Sequence, residues 1–277
     1  MTEFYMSLQQ EHFDDLRTYL INTLNVQAPI TGTNALGGPK DASTHENLDY
    51  LDDHAYWDHP QLLDDDFTSP NWIIRNDPMV ENEAFSTIPI LFGGHSFANK
   101  PYTISEYNHS APNIYRSEMM PFVLSYGLYH GLDAVMLFDY SSNRNWTEDY
   151  VNRYFNIHQD HSIMGMSPSF AYAFRQGLVQ ENPNPIVVNY SKDWLHESST
   201  TDNSSSWASF SPLDRRLAFT QSIQVGSYDA NTTTDFSTLP AVTGSPYTTQ
   251  TNETTLDTDL GLLKTATDKF VTVGGLK

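Results

Sequence analysis

The order of apolar and polar residues divides the first half of the chain into helices and strands. Leu and Phe recur at three- and four-residue spacings over roughly residues 6 to 24, with Asp, Glu and Arg between them, which predicts an amphipathic helix. Short apolar or alternating runs separated by Gly, Pro and polar clusters then predict strands. The predicted strands lie near residues 28–33, 48–56, 101–106 and 133–138.

A further helix is predicted between the last two of these strands. Tyr115, Met119 and Tyr126 fall on one helical stripe. Gly131 follows at the place where helices commonly end in a left-handed residue. The order strand, helix, strand is typical of a βαβ unit, whose two strands are parallel. Because residues 133–139 are nearly all apolar, we expect both faces of this strand to be covered.

The second half of the chain has a different pattern. Residues 166–179 predict another helix, and residues 185–190 predict a strand. From about residue 192 the chain is rich in Ser, Thr and Asp, with short alternating runs that favour β structure. We therefore expect an α/β domain over residues 1–180 and a β-rich C-terminal segment over residues 181–277.

Composition and charge restrict the possible partners. The 277 residues are 39% apolar, which is sufficient for a sizeable core. A formal net charge of −20 with only 14 Lys and Arg argues against a nucleic-acid partner. The sequence has no apolar run long enough to cross a membrane and no N-terminal signal peptide, so we expect a soluble protein without a membrane partner, in a compartment that the sequence does not define.

Polar and aromatic residues stand at the ends of all four predicted strands. The carboxyl ends of parallel strands converge on one rim, where ligands bind. The residues of this predicted rim are Asn34, His54, Tyr56, Trp57, Glu106, Asn108, His109, Asp139 and Tyr140. Carboxylates, amides and aromatic rings together suit a sugar, because its hydroxyls form hydrogen bonds and its apolar face stacks on rings. The alternative for any one of these residues is that Asp, Glu and Asn end strands simply because they form turns and caps.

A metal site is not expected at this rim. The chain has no cysteine, which excludes thiolate ligands. The histidines near the rim do not show a metal-site spacing such as H-E-x-x-H, and a His that forms a hydrogen bond with substrate is the favoured role. We expect neither a metal nor another cofactor.

Three segments resemble a known class of enzymes. The run PYTISEYNHSAPNIYRSE, followed by SYGLYHGLDAVMLFDYS, is similar to the seventh strand, seventh helix and eighth strand of the clan-A retaining glycoside hydrolases. LDYLDDHAYWDHP is similar to the sixth-strand segment of agarase- and β-galactosidase-like members. The resemblance covers roughly residues 1–190. It implies the second half of a TIM-type (β/α)8 barrel, strands 5 to 8, with a short β-rich C-terminal appendage.

The resemblance also implies an activity and roles for individual residues. Members of this clan hydrolyse glycosidic bonds, and the implied substrates here are β-linked glycans or β-glycosides. Glu106 takes the position of the nucleophile, His54 and Tyr56 take the rim of the sixth strand, and Asp139 takes the rim of the eighth. The remaining rim residues are expected to bind the carbohydrate substrate.

The sequence departs from this class in one important respect. The acid/base of the clan is a second Glu at the end of the fourth strand, and no counterpart of strands 1 to 4 is found. The proton donor would then be Asp52, Asp53, Glu118, Asp139 or a group from a partner subunit. A catalytically impaired, carbohydrate-binding remnant is therefore the alternative to an active hydrolase.

Half a barrel would also leave part of its surface uncovered. We expect an apolar inner face near Ile30, Leu51, Ile104 and Leu137, whose exposure to water would be costly. Closed symmetric assemblies are common among soluble proteins. The sequence therefore predicts a homodimer that completes the barrel and the site, and the alternative is that the chain's own loops and C-terminal tail cover this face.

Overall fold

The computed structural model describes residues 2–64, 66–67, 69–83, 85–142, 146–201 and 213–275. The described helices are Thr2–Asn22 (α1), Pro39–Ser43 (α2), Thr87–Phe92 (α3), Met119–Tyr129 (α4), His161–Arg175 (α5) and Lys192–Thr201 (α6). Short 3-10 helices are formed by Met79–Glu81, Arg116–Glu118, Arg215–Phe219 and Phe236–Thr238. The described strands are Leu51–Trp57 (β1), Gln61–Leu62 (β2), Trp72–Ile73 (β3), Tyr102–His109 (β4), Ala134–Leu137 (β5), Ile186–Asn189 (β6), Ile223–Ser227 (β7), Tyr247–Thr248 (β8), Thr254–Asp257 (β9), Leu262–Ala266 (β10) and Val271–Gly275 (β11).

A three-stranded parallel sheet lies at the centre of the predicted α/β region. Its strand order is β1-β4-β5, with β4 in the middle. The register pairs Leu51 with Tyr102 and Trp57 with His109, and β5 pairs with β4 in the same direction. Helix α4 connects β4 to β5, and Gly131 after it has a φ of 73°. The predicted βαβ unit with parallel strands is confirmed.

The predicted half-barrel is wrong. In the described part of the chain the strands form separate small sheets: the parallel trio, a parallel β6–β7 pair, an antiparallel β2–β3 pair and an antiparallel β11-β10-β9-β8 sheet. Of the four predicted strands, the first, near residues 28–33, is an irregular segment in the structure. Its Ile30 exchanges hydrogen bonds with Asp49, and Pro29 has no N–H to donate to a neighbouring strand.

One face of the parallel sheet is covered by the rest of the chain. Alternation along β1 places Leu51, Asp53, Ala55 and Trp57 on this face, and all four are buried. Helix α3 packs against β1 and is linked to the middle strand by a 2.8 Å hydrogen bond between the hydroxyls of Thr87 and Tyr107. Because Leu51 is fully buried, it cannot contribute to an uncovered apolar face.

The same result applies to Ile104, the next residue of the expected apolar face, which is also fully buried. Ile30 and Leu137 are partly buried. The expectation that both faces of the last strand are covered is wrong, since Met136 on β5 is 51% exposed. β5 is an edge strand of this sheet, and its apolar sequence does not distinguish an edge from a centre.

The β-rich C-terminal part packs closely on the α/β part. Buried side chains from both form one hydrophobic cluster, which includes Tyr126, Phe219 and Tyr247. The hydroxyl of Ser125 on α4 lies 2.7 Å from that of Thr265 on β10. The predicted division near residue 180 stays a prediction. Within the described residues, no helix has the length and apolar character needed to cross a bilayer.

Candidate active site

The second face of the parallel sheet carries a group of polar side chains around Glu106. Glu106 lies opposite His54 in the register of β4 and β1, one position after a bulge at Ser105. A bulge adds one residue to a strand and changes the direction of the next side chains. Asp52, His54 and Tyr56 alternate on this face of β1, and both His54 and Tyr56 are only partly buried, as is Glu106. We call this surface the open face of the sheet.

Both carboxylate oxygens of Glu106 accept a hydrogen bond. The hydroxyl of Tyr56 donates to Oε2. The side-chain amide of Asn34 donates to Oε1 over 3.3 Å and to the hydroxyl of Ser105 over 3.2 Å. His54 donates through Nδ1 to the backbone carbonyl of Asn34 and so holds the segment that carries this amide. The carboxylate is therefore fixed in orientation by donors from β1 and from the loop before α2.

The electrostatic surroundings keep the proton on Tyr56. Burial raises the pKa of Tyr56 far above its usual value, and the hydrogen bond and negative charge of Glu106 raise it further. The charge of Asp139 acts in the same direction. A phenol with a raised pKa stays protonated, so Tyr56 remains a donor to Glu106 at every ordinary pH.

Aromatic rings form an apolar wall beside the carboxylate. Tyr56 stacks on Phe155 with ring centroids 4.3 Å apart and an interplanar angle of 19°. Phe138 meets both rings edge-on, at 6.1 Å from Tyr56 and 5.8 Å from Phe155. The sequence did not indicate that either phenylalanine belongs to the site. Phe138 ends an apolar run typical of a buried strand, and Phe155 belongs to no helical or alternating pattern.

Three of the predicted rim residues are buried and do not reach the open surface of this site. Trp57 and His109 lie on the covered face, where the indole N–H of Trp57 donates to the carbonyl of Asp77 over 2.8 Å. His109 is fully buried, and burial followed by the charge of Arg116 lowers its pKa to about 3, so it is neutral. Asn108 is also fully buried. Trp57 and His109 were assigned to the rim because a sequence does not show which face of a strand meets the core.

Asn108 has a positioning role in the structure. Its amide donates to the backbone carbonyls of Phe138 and Phe155, and its side-chain oxygen accepts from Arg116 over 3.2 Å. All its hydrogen-bonding groups are used inside the protein, so it holds the two phenylalanines of the aromatic wall in place and does not reach a substrate.

The last two predicted residues follow directly on the aromatic wall. The backbone N–H of Asp139 donates to the carbonyl of Phe155 over 3.1 Å, and its carboxylate accepts from the hydroxyl of Ser142 over 3.0 Å. Tyr140 is 51% exposed and lies one residue further along the chain. The structure therefore brings Asn34, His54, Tyr56 and Glu106 into direct contact and places Asp139 within electrostatic reach of Tyr56.

The other candidate proton donors are engaged elsewhere. Asp52 is buried and accepts from the hydroxyl of Thr103 over 2.5 Å. Asp53 lies on the covered face with its carboxylate 3.3 Å from the ring of His95. Glu118 is buried beneath Met79, whose backbone N–H donates to it over 2.7 Å. Among the described residues, no three His, Asp or Glu side chains are grouped as a metal ion would require.

Comparisons with known proteins do not assign this chain to a family. No family model, curated protein or solved structure matches it.

Proposed function

We propose that this protein is a glycoside hydrolase acting on β-linked glycans or β-glycosides, with Glu106 as the nucleophile. The observation that supports this proposal is the carboxylate of Glu106, held by Tyr56 and Asn34 on the open face of the sheet beside an aromatic wall. Because the described strands form separate sheets and not a half-barrel, the site alone supports this proposal.

A retaining glycosidase needs an ionised, correctly oriented carboxylate as its nucleophile. Two donors stabilise the negative charge of Glu106 and fix its plane. In the first step its oxygen bonds to the anomeric carbon while the leaving oxygen takes a proton from an acid. In the second step water, deprotonated by the same group, displaces Glu106 from the sugar.

Asp139 is the best candidate for the proton donor. Retaining enzymes hold their two carboxyl groups about 5 Å apart. Asp52, Asp53 and Glu118 are buried in other hydrogen bonds, whereas Asp139 is partly exposed and its charge reaches Tyr56, the direct partner of Glu106. We assign Asp139 the acid/base role within this proposal.

One observation favours the alternative function, a carbohydrate-binding remnant without turnover. The hydrogen bonds described for Glu106 come from Tyr56 and Asn34, and no second carboxyl group takes part in them. A protein that keeps the aromatic wall and the amide but lacks an effective acid would bind sugars and leave them intact.

Hydrolysis of a panel of aryl β-glycosides distinguishes the two functions. In an active enzyme, Glu106→Gln should lower kcat by about a thousandfold or more and leave sugar affinity nearly unchanged, because the amide keeps the shape of the side chain but is not a nucleophile. Glu11→Gln, on an exposed position of α1, is the matched control and should have no effect.

Three outcomes of these assays would decide between the proposed functions. Full activity of Glu106→Gln would refute the nucleophile assignment. Sugar binding without any turnover by the unmodified protein would support the remnant. Neither binding nor turnover on the whole panel would refute both functions.

A further inference from the structure

A second group of aromatic rings lies beyond the aromatic wall. Tyr140, Trp146 and His158 form a triangle in which the ring centroids are 5.5 Å apart for the two pairs that include Tyr140 and 5.7 Å apart for Trp146 and His158. Tyr140 is 51% exposed and Trp146 is 59% exposed. Large aromatic side chains usually bury most of their surface, so two such rings open to solvent at one place indicate a binding surface.

Two hydrogen bonds fix His158 against the backbone of Tyr140. The backbone N–H of His158 donates to the carbonyl of Tyr140 over 3.2 Å. The Nδ1 atom of the same His lies 2.8 Å from that carbonyl, and because a carbonyl can only accept, Nδ1 carries the proton. The imidazole of His158 is thus fixed relative to the backbone of Tyr140 before any ligand arrives, which lowers the entropic cost of binding.

The triangle is continuous with the candidate active site. Residues 138–140 run beside residues 155–158, with hydrogen bonds from the N–H of Asp139 to Phe155 and from the N–H of Ile157 back to Asp139. Phe138 and Phe155 stand at the Glu106 end of this pair of segments, and Tyr140 and His158 stand at its other end. The triangle therefore continues the aromatic surface that begins with the wall beside Glu106.

We propose that Tyr140, Trp146 and His158 form a second sugar-binding subsite, so that the substrate is an oligosaccharide or polysaccharide chain that extends from Glu106 across these rings. This inference rests on the proposed function, because it takes Glu106 as the position of bond cleavage. The apolar face of a sugar ring stacks on Tyr140 or Trp146, while the imidazole of His158 lies at the edge of the stack.

The test compares substrates of different length. For each of three series, β-linked gluco-, galacto- and manno-oligosaccharides from di- to hexasaccharide, kcat/KM is measured and compared with that for the aryl glycoside of the same sugar. Trp146→Ala should lower the kcat/KM for the longer oligosaccharides, divided by that for the aryl glycoside, by about tenfold. The reason is that it removes one stacking partner from the longer substrate. Tyr172→Ala, which removes an aromatic ring that is 63% exposed on α5, is the matched control and should leave the ratio unchanged.

Binding provides the second readout and keeps this proposal separate from the proposed function. Affinity of the Glu106→Gln protein for hexasaccharides is measured with and without Trp146→Ala. If the unmodified protein has no turnover but Trp146→Ala weakens hexasaccharide binding by about tenfold, the subsite is supported and the hydrolase proposal fails. If Trp146→Ala lowers activity on short and long substrates equally, or leaves hexasaccharide binding unchanged, the subsite is refuted.

Discussion

Glu106 receives its two hydrogen bonds from parts of the chain that are distant in sequence. Tyr56 lies on β1, and Asn34 lies in the loop before α2, 72 residues from Glu106. A hydrogen bond to a charged group contributes about 1.5–3 kcal/mol. Loss of one donor should therefore weaken the site measurably without abolishing the fold.

Tyr56→Phe tests this arrangement. The ring keeps its stacking on Phe155, but the donor to Glu106 is lost. In an active hydrolase we expect kcat to fall by about tenfold to a hundredfold, because Glu106 loses a hydrogen bond that orients its carboxylate. Tyr172→Phe is the control. An unchanged kcat in Tyr56→Phe would show that the hydroxyl has no role in the reaction.

The buried carboxyl group of Glu118 should make the stability of the fold depend on pH. Burial raises the pKa of Glu118 to about 7, although hydrogen bonds from Met79 and Val80 oppose this effect. Its Oε1 atom is buried without a hydrogen bond among the described residues. The unfolded chain ionises near the usual value of 4.5, whereas the folded protein ionises near 7. The contribution of Glu118 to stability is therefore fully present below pH 4.5, the pKa in the unfolded chain, and it is lost as the pH rises to about 7, the pKa in the folded protein.

The expected loss is on the order of 3 kcal/mol in the free energy of unfolding. Glu118→Gln should remove this contribution, because the amide does not ionise but still accepts from the backbone of Met79. Urea unfolding near pH 5 and near pH 8 measures the difference, with Glu11→Gln as the control. The same pH dependence in Glu118→Gln and in the unmodified protein would contradict the assignment.

At the level of secondary structure, α5 is attached to the parallel sheet through one buried ion pair. Asp160 caps the helix by accepting from the backbone of Ser162 and Ile163. Its other oxygen lies 2.5 Å from Arg116, whose guanidinium also donates to the carbonyl of His109 at the end of β4. The start of α5 is thus connected to the strand that carries Glu106.

Two substitutions of Asp160 distinguish the stability contributed by the helix cap from that contributed by the ion pair with Arg116. Asp160→Asn keeps an acceptor for the cap but leaves the buried Arg116 without its counterion, which should cost about 3–5 kcal/mol of stability. Asp160→Ala should cost about 1 kcal/mol more, because the cap is also lost. Asp235→Ala removes an exposed cap without a cation and should have a far smaller effect on the urea midpoint. Equal stability of Asp160→Asn and the unmodified protein would refute this role of the pair.

At the scale of the whole molecule, the predicted homodimer needs a different interface from the one first expected. Leu51 and Ile104 are buried within the chain and cannot face a partner. Helix α1 and the residues just after it instead expose a stripe of large apolar side chains. These are Phe4, Tyr5, Leu8, Leu16 and Tyr19 on α1 and Leu24 beyond its end, each between 46% and 63% exposed. We expect a second copy of the chain to cover this stripe.

Light scattering at low micromolar concentration tests the dimer. Each chain carries a net charge of −20, so repulsion opposes association and the dimer fraction should rise with added salt. Leu16→Lys should shift the protein toward the monomer. Tyr172→Lys on α5, also strongly exposed, is the control. A monomer at every salt concentration would contradict the homodimer.

The sequence by itself determined the local elements. The positions of α1, β1, β4, α4 and β5, and the parallel direction of the three strands, follow from hydrophobic periodicity and from Gly and Pro, which act over a few residues. It also placed Glu106, His54 and Tyr56 at neighbouring strand ends. These residues do meet in the structure, but the predicted ends are wrong for Glu106 and His54, which lie within β4 and β1.

Only the tertiary structure decided which strands pair and which face of each strand meets the core. Pairing depends on contacts between residues far apart in sequence. The segment near residues 28–33 therefore has the sequence pattern of a strand, but in the structure it is a loop whose Ile30 forms hydrogen bonds with Asp49. Trp57 and His109 look equivalent to Tyr56 and Glu106 in the sequence, yet they lie on the opposite face because successive strand residues alternate between the two faces. The bulge at Ser105 places Glu106 opposite His54 on the open face, although Ile104 two residues earlier pairs with Asp53 on the covered face. The site is set by which face of the sheet α3 covers, and that is a property of the folded chain.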